Sequence, residues 1–252
     1  MQTIESILVE IMELKYAKRP VNTIGYVNKF FRNYLNPTKN IELEKELEDK
    51  INKAKDLINA IPINNFFTDD SDIIFAYKFS IFLYRNTFRK LSTDSMVVHA
   101  YRVAKILYDC KASKETVIAG LLHDVIEDTP YKQAILSVFF NEKIMNTVLF
   151  HTEDKTKSWE VRKLKTITEV KDNEHSEGVW LILADRIANM EDLILNYPVD
   201  WSVFNRGVDK QYWYFSEIYK YALNQKDLFP EIDYYKDCMD MLFEDYLKER
   251  AF

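Results

Sequence analysis

The sequence predicts an all-helical protein, on three observations. Helix breakers are scarce, with 4 glycines and 6 prolines in 252 residues. Leu, Ile, Lys, Glu and Asn are abundant. Apolar residues recur at three- and four-residue spacing along most of the chain. A chain of this length can bury a sizeable core and fits one large domain, or one domain with an extension. The net charge of −6 argues against a general nucleic-acid binder, which would carry a basic footprint. Cys110 and Cys238 lie far apart with no CxxC spacing, which points to a reducing compartment. There is no basic segment followed by a short apolar one at the start, and no apolar run long enough to span a bilayer. The expectation is a soluble, cytoplasmic protein that binds neither membrane nor nucleic acid.

Residues 2–18 predict an amphipathic helix with Ile4, Ile7, Leu8, Ile11 and Leu14 on one face. Residues 22–35 carry Ile24, Val27, Phe30, Phe31 and Tyr34 and predict a second helix, broken by Pro37. Residues 41–61, with Leu43, Leu47, Ile51, Ala54 and Leu57, predict a third, closed by Pro62 and the Asn64-Asn65 pair. No cluster of His, Cys or carboxylates suggests chemistry here, and residues 1–70 read as a helical N-terminal extension.

A main domain is expected over residues 71–225. Residues 70–88 start with an acidic turn and continue through Phe75, Ala76, Phe79, Phe82 and Leu83, a buried helix ending near Arg85, Arg89 and Lys90. A polar link, 91–95, leads to a helix over Met96 to Asp109, with His99 one turn in. Residues 131–141 and 142–150 predict two more helices, followed by a polar loop over 151–156. Residues 159–170 form a helix bearing Arg162, Lys163 and Lys165. After a polar link comes the apolar run Val179-Trp-Leu-Ile-Leu-Ala184, leading straight into Asp185. A lone carboxylate in so apolar a run is costly unless it is paired or binds a metal. An aromatic-rich helix over 203–224 follows. Residues 226–252 are expected to hold a final helix, 232–249, packed on the domain; the late aromatics leave a homodimer open.

The chain is organised around residues 116–129. Ser113 is a suitable N-cap and Pro130 a suitable stop, so the segment predicts one helix. Val117, Ile118, Leu121, Leu122, Val125 and Ile126 form a broad apolar arc. His123, Asp124 and Glu127 lie opposite, with Asp128 at the edge, so one side presents an imidazole and three carboxylates within a turn and a half. Such a side is commonly just solvated, but Ala119, Gly120, Leu121 and Leu122 are too apolar for a freely exposed helix. With His99 and Asp185 the sequence offers His99, His123, Asp124 and Asp185 on three separate elements. This mixed N/O set suits Mn²⁺, Fe²⁺ or Mg²⁺ better than a structural zinc, which prefers thiolates.

The order His…His-Asp…Asp resembles the HD superfamily of metal-dependent phosphohydrolases. Residues 121–129, LLHDVIEDT, are similar to the HDxxED segment of the RelA/SpoT hydrolase domain, and residues 183–190, LADRIANM, to its LADRxxNM segment. Thr152-Glu-Asp-Lys-Thr156 and Arg162-Lys163 resemble the small animal SpoT homologues; the likeness covers residues 72–225. It implies an HD-domain helical bundle using Mn²⁺ to remove the 3′-pyrophosphate of the alarmone (p)ppGpp. The animal homologues also remove the 2′-phosphate of NADPH. Carried over by position, His99, His123, Asp124 and Asp185 would be metal ligands. Glu127 and Asp128 would position and deprotonate the attacking water. Arg89 and Lys90 would contact base and phosphate, Asn189 the ribose side, and Lys155, Arg162 and Lys163 a polyphosphate; for Arg206 and Tyr212 surface and packing roles are favoured.

The chain departs from the family at two places near the site. Ala100 replaces a frequent Pro after the first His. Ile182 replaces a Lys three residues before the last Asp, which removes a positive charge. The link between Lys90 and His99 is slightly shorter than in the animal homologues, and no (p)ppGpp synthesis is expected. The readings to separate are a (p)ppGpp 3′-pyrophosphohydrolase, an HD phosphohydrolase for another nucleotide such as NADPH, and a catalytically silent nucleotide-binding module. The intact ligand set together with Glu127 and Asp128 speaks against the last.

Overall fold

Short polar side chains cap the starts of many of the described helices. The computed structural model describes residues 3–17, 37–64, 66–90, 94–131, 133–173, 176–204, 206–225 and 229–250. Every named element among them is a helix. In chain order they are α1 (Ile4–Ala17), α2 (Pro37–Asn59), α3 (Ser71–Leu83), α4 (Met96–Asp109), α5 (Lys114–Leu122) and α6 (Val125–Asp128). Then follow α7 (Gln133–Phe139), α8 (Glu142–His151), α9 (Trp159–Asp172), α10 (Glu177–Leu195), α11 (Val208–Ala222) and α12 (Ile232–Arg250). Asp70, Ser95, Ser113, Asn141, Ser158 and Ser176 each cap a helix by accepting an N–H of its first turn. No described helix is long and apolar enough to cross a membrane.

The chain divides into two compact units, Met1–Asn65 with Lys132–Phe140, and Phe66–Tyr131 with Asn141–Phe252. In the first, α1 buries Ile7, Leu8 and Ile11, and α2, which packs on it, buries Ala54 and Ile58. Lys15 of α1 donates to the Ala134 carbonyl (3.1 Å) and to Ser137 Oγ (2.6 Å) on α7. The helix expected over 22–35 lies outside the described residues. Helix α2 begins at Pro37, four residues before the start expected at 41; a proline is compatible with the first turn, where its missing N–H has no partner to lose.

The second unit is built on α10, which packs against α4, α5, α8 and α12. Its run Val179, Leu181, Ile182, Leu183, Ala184, Ile187 and Ala188 is buried throughout, which explains why it is apolar on every side. Helices α4 and α5 lie close together because Gly120 faces Ala104: a Cβ at Gly120 would meet Leu107 Cδ1 at 2.8 Å and Ala104 Cα at 3.2 Å. The Glu177 carboxylate at the start of α10 accepts from Ser113 N (3.1 Å) and Thr116 Oγ1 (2.5 Å), joining the starts of two central helices.

Three boundaries differ from the sequence expectation. Residues 116–129 are not one helix. The first helix stops at Leu122, His123 and Asp124 form a turn, and α6 restarts for one turn with Glu127 and Asp128 donating to the Asp124 carbonyl (3.1 and 2.9 Å). The cause lies in Tyr84, whose buried hydroxyl accepts the Asp124 N–H (3.2 Å) while Asp124 sits at φ −95°, ψ 0°. The helix expected over 70–88 ends at Leu83, and the chain returns through a single bridge between Phe88 and Ser95. The late aromatic helix begins at Val208, after Gly207, with only a 3-10 turn over Trp201–Val203 before it.

Leu107 is fully buried where α4 meets Gly120. Truncating it by Leu107→Ala should lower the unfolding free energy by about 2–5 kcal/mol, read from urea denaturation, because the tight seam has little room to collapse.

Candidate functional site

Three of the chain's 4 histidines converge on one carboxylate. Asp185, at mid-length in α10, has a side chain only 2% exposed. Its Oδ1 lies 3.0 Å from His99 Nε2, 3.7 Å from His123 Nε2 and 2.7 Å from Asn189 Nδ2. Its Oδ2 lies 3.1 Å from His151 Nε2 and accepts from the Arg186 guanidinium. The expectation that this carboxylate is partnered is met by polar groups from α4, α8 and α10 itself.

His123 is fully buried, and its Nδ1 donates to the Gly120 carbonyl one turn back (2.8 Å). A carbonyl can only accept, so Nδ1 carries a hydrogen and Nε2 is the position left to take a proton or an ion. That Nε2 makes no hydrogen bond, although it faces Asp124 Oδ2 at 3.0 Å and Asp185 Oδ1 at 3.7 Å. A backbone carbonyl that fixes one ring nitrogen and leaves the other aimed at two carboxylates is the usual support of a metal-binding imidazole. His99, His123 and Asp185 each offer a ligand atom, and these lie within 4.8 Å of one another. Asp124, Glu127 and His151 do the same. Imidazole and carboxylate donors on buried, separately anchored elements fit a divalent cation.

Beside these groups lies a cleft of ≈ 730 Å³. Of the residues singled out in the sequence, Asp124, Glu127, Asp128, Asp185, Arg89, Lys90, Asn189, Lys155, Arg162 and Lys163 line it, while His99 and His123 are buried behind. Most of the basic residues are already paired. Arg89 donates to Asn189 Oδ1 (2.7 Å) and pairs with Asp192 (2.8 Å), which also holds Arg102. Arg162 and Lys163 both bind Glu153. Lys155 bridges to Asp128 Oδ1 (2.5 Å) and Glu127 Oε2 (3.4 Å). Arg206 pairs with Glu160 (2.7 Å), and Tyr212 packs on Phe243 and Tyr246. Ile182, where the resemblance leads one to look for a Lys, is buried and lines the cleft.

Sequence reasoning missed His151, Glu153, Arg186 and Asp192. His151 reads as the start of a polar loop, but it is the last residue of α8 and turns into the cluster. Its signal was scarcity, since a chain with so few histidines places three of them together. Glu153 and Arg186 lie inside the segments that carry the resemblance but were given no role, and Asp192 had no signal, since its partners arrive from other elements.

The electrostatics follow from burial and close pairing. Burial works against a charged His123 ring, but Asp124 and Asp185 outweigh it and raise its pKa from 6.5 to about 9. Burial likewise pushes the Asp185 carboxyl up, yet Arg186, His151 and His99 hold it well below the usual carboxylate range. Asp124 is also held low, chiefly by His123 against burial. Glu127 moves the other way: burial and the Asp124 charge raise it, against the Glu153 N–H that its Oε1 accepts at 2.6 Å. The His123 shift has a stability consequence in metal-free protein. Its contribution is fully present below pH 6.5 and is lost as pH rises through about 9. In chelator, the urea-unfolding free energy should therefore fall between these pH values by on the order of 1–3 kcal/mol, and His123→Gln should flatten that fall.

Comparison with known proteins agrees with the geometry. Residues 76–196 match the HD domain. A crystal structure of lmo0812 from Listeria monocytogenes is 38% identical, with a TM-score of 0.54 over 58% of this chain and 94% of that one. A guanosine-3′,5′-bis(diphosphate) 3′-pyrophosphohydrolase of Drosophila melanogaster is 28% identical over 128 residues, 50% of this chain and 71% of that protein. A Mycoplasma pneumoniae protein named as a probable enzyme of the same activity is 30% identical over 116 residues, and the chain spans only 16% of its length. The His…His-Asp…Asp cluster is assembled inside this HD-domain match, and the proteins that the chain resembles there include named guanosine-3′,5′-bis(diphosphate) 3′-pyrophosphohydrolases.

Proposed function

We propose that this protein is a manganese-dependent (p)ppGpp 3′-pyrophosphohydrolase, which converts ppGpp and water to GDP and pyrophosphate. The observation that carries the reading is the free Nε2 of His123, fixed by the Gly120 carbonyl and aimed at two carboxylates beside the cleft. The names of the relatives supply the substrate class. His99, His123, Asp124 and Asp185 would hold the ion. Bound there, it would lower the pKa of a water and neutralise phosphate oxygens.

The remaining residues have distinct tasks in this reading. Glu127 and Asp128 face the cleft from the turn after the His-Asp pair. The raised Glu127 carboxyl suits a group that must accept a proton from water as its oxygen bonds to the phosphorus on O3′. As that P–O3′ bond breaks, the sugar oxygen takes up a proton. Lys155 orients both carboxylates through its contacts to Asp128 and Glu127. Arg89 and Lys90 sit at the cleft beside Asn189, on the side expected for base and ribose. Lys163 lies over the Tyr214 ring, its Nζ 4.7 Å from the centroid, next to Arg162 and facing the space left for phosphates. The chain is expected to act in the cytoplasm.

Incubation with ppGpp and Mn²⁺ should release GDP and pyrophosphate, and a chelator should abolish it. Phosphate released from NADPH alone, in a parallel tube, would move the assignment to a different nucleotide. The Glu127→Gln/Asp128→Asn double variant should still bind manganese while turnover falls at least a hundredfold. His123→Ala should lose manganese and turnover together. Unchanged activity in the double variant would remove Glu127 and Asp128 from the mechanism.

A further inference from the structure

Two hydrogen bonds exchange acceptors at the break between α5 and α6. In an uninterrupted helix the Asp124 N–H would donate to the Gly120 carbonyl, four residues back. It donates instead to the Tyr84 hydroxyl at 3.2 Å, and the Gly120 carbonyl accepts from His123 Nδ1 at 2.8 Å. A backbone donor has left the helical ladder, and the ring of the preceding residue has taken its acceptor. Both donors are satisfied, as polar groups at this depth must be.

Tyr84 is well anchored for this part. It is fully buried at the end of α3, where its N–H donates to the Ser80 carbonyl (2.9 Å) and its carbonyl accepts from Thr87 N (2.8 Å). The peptide it captures is central to the site. The Asp124 carbonyl accepts the N–H groups of Glu127 and Asp128 (3.1 and 2.9 Å), and its Oδ2 faces His123 Nε2 at 3.0 Å. Periodicity alone favours one helix over residues 116–129. Continuing α5 would return the Asp124 N–H to the Gly120 carbonyl, in competition with the His123 ring. The phenol oxygen decides between the two arrangements.

We propose that Tyr84 is a positioning residue of this site: by accepting the Asp124 N–H, its hydroxyl frees the Gly120 carbonyl to hold the His123 ring, and so aims Nε2 into the cluster. The inference rests on the metal centre proposed above and adds a residue that acts on it only through the backbone.

NMR of the metal-free, ¹⁵N-labelled full chain reads the ring directly, with His123→Gln identifying its signals. The wild type should show a slowly exchanging His123 Nδ1–H and a nuclear Overhauser contact between the Asp124 N–H and the Tyr84 ring. Tyr84→Phe keeps the ring and removes the acceptor. In that variant the Nδ1–H should lose its protection, and Mn²⁺, followed by the electron paramagnetic resonance of the free ion, should bind about 10- to 100-fold more weakly. Phe79→Leu, which truncates a fully buried side chain on the same helix, should lower the Tm and move neither readout. An unprotected Nδ1–H in the wild type overturns the inference without any variant. A Tyr84→Phe protein that keeps either the protected signal or the wild-type affinity also overturns it, as does a Phe79→Leu protein that loses both. If the wild type binds no Mn²⁺ but Tyr84→Phe still abolishes the protected signal, the metal reading falls and the hold of Tyr84 on the ring stands.

Discussion

Burial of the Asp185 carboxylate is the constraint on which the rest of the unit depends. An ionised carboxylate taken out of water without partners costs several kcal/mol. Here it sits in the longest apolar stretch of the chain, on the helix that touches most of its neighbours. The fold satisfies it by bringing an imidazole from α4, another from α8, and an amide and a guanidinium from the next turns of α10. The arrangement is mutual, because each buried imidazole also needs a polar counterpart. Helix packing and site assembly are therefore one event: α4 and α8 cannot shift along α10 without separating these groups.

A second ordering principle is the doubling of cations on single carboxylates. Asp192 holds Arg89 and Arg102, and Glu153 holds Arg162 and Lys163. Each such group fixes long, flexible side chains, with Arg89, Arg162 and Lys163 at the cleft, while two cations share one carboxylate. A polyanion entering there meets cations already positioned, at a reduced entropic cost. The corner around Asp124 and Asp185 has the opposite balance, with carboxylates in excess. The polyphosphate substrate and divalent ion proposed above would be complementary to these two regions.

Much of the fold was legible because its helices follow local rules. The extents of α4 and α8–α10 are close to those read from periodicity and caps, since Ser95, Asn141, Ser158 and Ser176 signal their starts in any context. Boundaries failed where a distant group decided them. The break at His123-Asp124 depends on the Tyr84 hydroxyl, 40 residues earlier in the chain. No periodicity in residues 116–129 records that contact.

The sequence by itself determined the helical class and the four residues of the His…His-Asp…Asp set, with Glu127 and Asp128 beside them. These are legible because the chemistry demands rare residue types in apolar surroundings, and such placements stand out against a helical pattern. Only the tertiary structure decided that His151 joins the cluster, that Arg162 and Lys163 are held by Glu153, and that Asn189 ties Arg89 to Asp185. The reason is physical. A helix records in its own sequence which face it buries, but the partner that a buried polar group meets is fixed by helices that are distant in the chain.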